Sequence, residues 1–130
     1  MLSVENLSFS YPKLPVLEDV SFQLQSGTLC ALLGANGSGK STLFKCCLKF
    51  LEPARGRVMI QGRDIKDKSV VEIARMAAYV PQEHKPSFPY AVKEIVLMGR
   101  TPHLKTAFAI DPENHKKAKE AMEELGILHI

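Results

Sequence analysis

The chain has 130 residues, 45% of them hydrophobic and 24% charged, with 8 Gly and 8 Pro. That balance excludes disordered, collagen-like and disulfide-stapled classes and fits one globular domain or part of one. Seventeen Lys and Arg against fourteen Asp and Glu leave a net charge of +3, too small in itself to argue for nucleic acid or an anionic membrane surface, so any anion binding has to be local. The three cysteines, Cys30, Cys46 and Cys47, are odd in number and lie in apolar segments, which predicts buried thiols in a reducing compartment with no disulfide framework and no metal set. The start, Met1 to Asn6, lacks the charged-then-apolar layout of a signal peptide, and no apolar run approaches the ~20 residues of a membrane span, so the expectation is a cytoplasmic chain.

In chain order, Leu2, Val4, Leu7 and Phe9, and then Val16, Val20, Phe22 and Leu24, alternate with polar residues as half-buried antiparallel strands do, linked by a turn over Tyr11 to Pro15. Thr28 to Leu33 is a nearly continuous apolar run ending in glycine, which predicts a central parallel strand covered on both faces. Apolar residues at Leu43, Phe44, Cys47, Leu48 and Leu51 predict a helix from Ser41 to Leu51, stopped by Pro53. A strand through Val58 to Ile60, a turn at Gln61-Gly62, a helix over Val70 to Met76 and a strand over Ala77 to Val80 follow. Two further helices are expected, from Val92 to Met98 and from Glu113 to Leu125, the second with Asp111 as N-cap and Pro112 at its first position.

Gly34-Ala35-Asn36-Gly37-Ser38-Gly39-Lys40-Ser41 fits G-x-x-x-x-G-K-[ST] at every required position, between an apolar strand pattern and a helical one. In such a loop successive backbone N–H groups converge on phosphate oxygens at the positive end of a helix, and glycines let the backbone approach closely. Lys40 then reaches the β- and γ-phosphates, the Ser41 hydroxyl coordinates a Mg²⁺ bridging them, and Thr42 bonds the α-phosphate. A dinucleotide fold is disfavoured because the glycine spacing differs from G-x-G-x-x-G and a lysine follows at once. Nucleoside triphosphate binding is therefore the expectation, and the glycines, Asn36, Ser38, Lys40, Ser41 and Thr42 are the binding candidates.

A phosphate loop alone does not choose among ATPases, kinases and GTPases. The sequence resembles the ATP-binding subunit of ABC transporters along its whole length and in order. Tyr11, in Phe9-Ser10-Tyr11 before Leu17-Glu18-Asp19-Val20-Ser21-Phe22, matches the family's aromatic that stacks on adenine, an interaction worth ~1 kcal/mol or more; the alternative is an ordinary strand-end residue. Tyr79-Val80-Pro81-Gln82 looks like the family's Q-loop, which implies that Gln82 reaches the metal and the attacking water as a sensor of the γ-phosphate. Arg55 to Val58 and Ile60 to Ile65 look like its outer sheet, where Asp64 is no candidate for the acidic metal partner. Val92 to His103 is similar to the opening of the helical subdomain in importers of metal chelates, such as siderophores, haem and cobalamin, although Ala91 stands where Thr or Ser is usual and leaves that helix less well capped. His84, His103, His115 and His129 are read as exposed polar residues.

The resemblance implies an α/β P-loop NTPase core carrying an N-terminal antiparallel β subdomain and the start of a helical subdomain, laid out as residues 1–27, 28–82 and 83–130. It also implies ATP and Mg²⁺ as ligands, a transmembrane permease as partner, a homodimer of ATPase subunits, and a place on the cytoplasmic face of the membrane. The family's signature, acidic metal partner, catalytic glutamate and switch histidine have no match here, so a portion of a longer ATPase is expected, inactive by itself. A binding module without turnover, or a non-transport ABC ATPase, is the alternative reading. A kinase or GTPase is disfavoured by the two strands ahead of the loop and the want of a guanine-selecting motif.

Overall fold

A computed structural model describes residues 1–82, 88–104 and 112–129. The chain divides into two compact units, Met1–Ala77 and Ala78–Ile130.

The first unit is built on a four-stranded, wholly antiparallel sheet in the order β2-β1-β3-β4, formed by β1 (Leu2–Tyr11), β2 (Leu14–Leu24), β3 (Arg55–Ile60) and β4 (Arg63–Asp64). The predicted hairpin forms, with a shorter loop than expected: Tyr11 already pairs with Leu14, and Lys13 takes a left-handed φ of 63° in the two-residue turn. At the β3–β4 hairpin Gln61 and Gly62 have φ of 53° and 76°, the double positive φ whose twist suits a two-residue connection.

The β1–β2 register slips three times. Val4 faces Phe22 but Leu7 faces Val20, which puts an extra residue into β1; Phe9 faces Leu17, which puts one into β2; and Ser10 faces Pro15, which leaves Val16 as a second extra residue of β2. Asn6 and Asp19 occupy the first two bulges with φ of 49° and 50°. They stabilise each other, since Asn6 Nδ2 donates to Asp19 Oδ1 at 2.7 Å, while the Asn6 and Asp19 backbone N–H groups donate to Ser21 Oγ and Ser8 Oγ. Each bulge re-phases the side chains, so Val4, Leu7, Phe9 and Leu17 all reach the same core despite their odd spacing.

Onto this face packs α1 (Lys40–Cys47) through Leu43, Cys46 and Cys47, joined by Val58, Ile60, Ile65 and Ile73. Leu7, Val4, Val58 and Cys46 are the most fully buried side chains, each large aliphatic one contributing about 1.5–3 kcal/mol on transfer from water. α1 ends earlier than the sequence pattern predicts. Lys49, not Pro53, turns the chain: it has φ 58°, Phe50 N–H and Leu51 N–H donate back to Lys45 O, and its ammonium donates to Lys66 O and Lys68 O at 2.7 Å each. That clamp on a second loop recovers what a left-handed lysine costs. α2 (Val70–Ala74) is also shorter than predicted, and starts with a full capping box between Ser69 and Glu72. Hydrogen bonds from the Ser69 backbone, Lys68 and the Ser69 hydroxyl hold the Glu72 carboxyl down at about 2.

Two expected strands do not form. Residues 28–33 and 77–80 carry no strand pairing, and Leu29, Leu33 and Val80 are each at least 87% exposed. A parallel strand gains its backbone bonds only from neighbours alongside, and the described residues place none there. Cys30, expected buried, is accordingly exposed, while Cys46 and Cys47 are buried as expected.

In the second unit α3 (Val92–Met98) packs on α4 (Pro112–Glu124), and Arg100 Nε donates to the buried Asn114 Oδ1 at 2.9 Å. Both helices start where the sequence places them, Pro112 occupying the first position of α4; the Asp111 cap lies outside the described residues. At α3 the weaker cap is visible in atoms: the Glu94 carboxylate accepts from the Ala91 N–H at 2.9 Å, but Ala91 has no side-chain oxygen to cap the helix, and the Glu94 N–H donates to the Ala91 carbonyl instead, at 2.9 Å. No helix among the described residues is long and apolar enough to cross a membrane.

Gly56 of β3 lies against the Asn6 bulge with φ 82°, and a Cβ there would come within 2.4 Å of the Glu5 and Asn6 carbonyl oxygens. Gly56→Ala is therefore expected to destabilise the first unit by about 2–4 kcal/mol, read as a lowered midpoint in urea or thermal denaturation; a variant within 0.5 kcal/mol of the parent, roughly the spread of neutral surface changes, would remove the bulge from the account.

Candidate phosphate-binding loop

The glycine-rich segment joins residues 28–33 to α1 and has defined geometry. Ser38 N–H donates to Ala35 O at 3.2 Å, closing a four-residue turn whose third position is Gly37 at φ 81°, the conformation that reserves such a position for glycine. Gly39 follows as the N-cap of α1 in a left-handed conformation, φ 88° and ψ 3°, and its carbonyl accepts the first helical bond from Leu43 N–H at 2.8 Å. No side chain caps this helix and no acidic residue stands in its first turn. Its leading N–H groups are thus left for an external acceptor, at the end where the helix dipole favours negative charge.

The Lys40 ammonium does not extend into solvent. It folds over the loop and donates to Gly34 O at 2.8 Å and Ala35 O at 2.7 Å. One cation thus sits at the mouth of the turn, on carbonyls that face it, beside amides that can take an anion. Gly34, Asn36, Gly37, Ser38 and Ser41 are exposed, Lys40 is half-buried, and Gly39 and Thr42 are buried. The loop is open to a ligand along its length and anchored at its helix end.

What anchors it is β2. A methyl group on Gly39 would stand 3.1 Å from Val16 Cγ1, Leu17 Cδ2 and the Val16 carbonyl oxygen alike. Neither Val16 nor Leu17 stands out in the sequence as a site residue. The signal was the phase slip of the alternation, since a buried Leu17 is three residues from the next inward side chain, Val20. Tyr11 closes the same hairpin: it is 38% exposed and its ring meets that of Phe9 edge-on at 5.0 Å and 86°. The ring is thereby held on one side while part of it stays accessible.

Gln82 belongs to the second unit, where it is exposed just after Pro81. Burial raises the thiols of Cys46 and Cys47, the latter to about 11 with help from its neighbour's charge, so both stay protonated packing residues and not nucleophiles. His103, His115 and His129 are exposed, and His84 lies outside the described residues. Among the described residues no group of three His, Cys, Asp or Glu converges as a metal site. At this loop the exposed Ser41 offers a hydroxyl oxygen, a hard donor of the kind that Mg²⁺ takes.

The ABC transporter family matches residues 17–130. An uncharacterized ABC transporter ATP-binding protein of Haemophilus influenzae is 38% identical over the whole chain, which covers 49% of that protein. A hemin import ATP-binding protein of Methylobacillus flagellatus is 32% identical over the whole chain and 48% of its own length. The fold agrees with a solved metal-chelate type ABC transporter in an inward-facing conformation at a TM-score of 0.74 and 32% identity, over 98% of this chain and 45% of that one. The chain thus spans about half the length of the curated relatives it matches.

The two ends of the loop differ in tolerance. A Cβ on Gly34 would crowd the Ser38 Oγ, at 2.8 Å, which can rotate away, and otherwise meet side chains at ordinary contact distance, whereas one on Gly39 meets backbone in a left-handed conformation. Gly39→Ala is expected to cost about 1–3 kcal/mol of unfolding free energy and Gly34→Ala less than about 1 kcal/mol, measured side by side in urea; equal costs would refute the anchoring described.

Proposed function

Because the chain belongs to the ABC transporter family, we propose that it is the N-terminal part of an ATP-binding subunit that powers import of a metal chelate. The observation that carries the nucleotide assignment is the loop itself: two left-handed glycines, an uncapped helix start and a lysine ammonium already gathered at its mouth. The metal-chelate assignment is supported by what the relatives are named for, hemin import in one and metal-chelate transport in the other, and by the Val92–His103 segment.

In this reading the backbone N–H groups of Gly37 to Ser41 take the phosphate oxygens, and Thr42 takes the α-phosphate. Lys40 exchanges its two carbonyl partners for the β- and γ-phosphates, a trade of neutral acceptors for anionic ones that is favourable because donor and acceptor are then oppositely charged. Tyr11 stacks on the adenine. The Ser41 hydroxyl would hold Mg²⁺, which when bound neutralises charge on the triphosphate. Gln82 senses the γ-phosphate and, with the helical segment that follows, receives a transmembrane permease. The layout 1–27, 28–82 and 83–130 then assigns base stacking, phosphate binding and coupling to successive segments, and a paired ATPase subunit and a position on the cytoplasmic membrane face complete the assembly.

Two variants test the core of this reading by calorimetric titration. Lys40→Ala is expected to weaken ATP by at least about a hundredfold, because two charged contacts at ~1.5–3 kcal/mol each are lost; unchanged affinity would overturn the assignment. Tyr11→Ala is expected to weaken ATP about tenfold, from the loss of one stacked base, while leaving inorganic tripolyphosphate unaffected, and equal weakening of both would remove Tyr11 from the base site.

A further inference from the structure

Val16 has no assigned role, yet it is placed oddly for an ordinary strand residue. It is the unpaired extra residue of β2, between Pro15, which faces Ser10, and Leu17, which faces Phe9. A bulge turns a residue's carbonyl and side chain out of the regular alternation, and here both turn toward one target: Val16 Cγ1 and the Val16 carbonyl oxygen lie where a Cβ on Gly39 would be 3.1 Å from each. Gly39 is in turn the residue from which α1 and the phosphate loop both depart. The same hairpin carries Tyr11 at its end, paired to Leu14 two residues before Val16.

We infer that Val16 is a positioning residue, a strut that sets the distance between the base-stacking end of the hairpin and the phosphate loop. This rests on the nucleotide reading above and goes beyond it: the bulge makes base recognition and phosphate grip one rigid element. A ligand that spans both ends needs the strut; a ligand that uses the loop alone does not. Small displacements matter in such a site, since a misplacement of about 1 Å can cost on the order of a hundredfold in a geometry-dependent step.

Leu17 supplies the control. It also touches Gly39 but is buried in the core, packed with Leu43 and Phe9, so shortening it tests packing instead of spacing. Val16 is only half-buried, so Val16→Ala is expected to fold.

The experiment titrates ATP and inorganic tripolyphosphate into the protein and into Val16→Ala, Val16→Ile and Leu17→Val, with circular dichroism confirming the fold of each. For Val16→Ala the expectation is a loss of ATP affinity of about tenfold with tripolyphosphate affinity within twofold, the split that a displaced but intact loop would give. Val16→Ile, which keeps the branched methyl at Gly39, is expected to retain ATP affinity within about threefold, while Leu17→Val lowers the melting temperature without the split. ATP affinity unchanged in Val16→Ala, or both ligands weakened equally, overturns the strut. If Val16→Ala fails to fold, Val16→Thr, of nearly the same shape, replaces it and is expected to keep both affinities; a selective loss there would count against shape as the cause. Failure of the nucleotide reading would look different, with the parent protein binding neither ligand.

Discussion

The contact of a left-handed glycine with a bulged strand organises the first unit. Gly39 is the point at which the phosphate loop becomes a helix, and the Val16 carbonyl with the Val16 and Leu17 side chains of β2 stands against it so closely that an added methyl would be only 3.1 Å from each. From this contact outward the elements follow. α1 is fixed by its first turn, lays Leu43, Cys46 and Cys47 on the sheet, and shares one core with Val4, Leu7, Phe9 and Val58. The loop before it can then be exposed along its outer face without being floppy, because its far end is held by packing and its near end by the Lys40 ammonium on two carbonyls. Selection of glycine at positions 37 and 39 has two distinct grounds: a turn conformation in the first case, the close approach of a neighbouring strand in the second.

Much of this was legible in the amino-acid order. The phosphate loop could be read because its chemistry restricts residue type at each position, and the helices Val92–Met98 and Pro112–Glu124 because a period near 3.6 and a proline at the first position are local signals. The antiparallel hairpin was read from alternation alone. The phase breaks in that alternation were present too, from Val4 to Leu7 and from Leu17 to Val20, but a break in phase can mean a bulge or a loop, and only the pairing partners distinguish them. Hence Val16 and Leu17 were invisible as site residues, although Leu17 is among the most buried in the unit.

The two strands that do not form have a common cause. Helices satisfy their own backbone, so α3 and α4 form from local pattern and one another, whereas a parallel strand depends on chain that lies elsewhere. Thr28–Leu33 and Ala77–Val80 carry strand-like composition, but the described residues place no strand alongside them, and they stay outside the sheet with Leu29, Leu33 and Val80 in solvent. The overlong forecast for α1 arose differently. Nothing in the residue string says that a lysine will take the left-handed role usually given to glycine, because the compensation is tertiary: two carbonyls from the segment around Lys66 and Lys68.

The unpaired run at 28–33 also bears on how this polypeptide behaves in concentrated solution. Six consecutive residues without charge or proline, three of them Leu, and outside any sheet, have the composition of segments that stack into cross-β ribbons. Such a stretch is harmless when a neighbour covers it and adhesive when none does. What lies alongside this run therefore governs whether it stays apart from other molecules of the same kind.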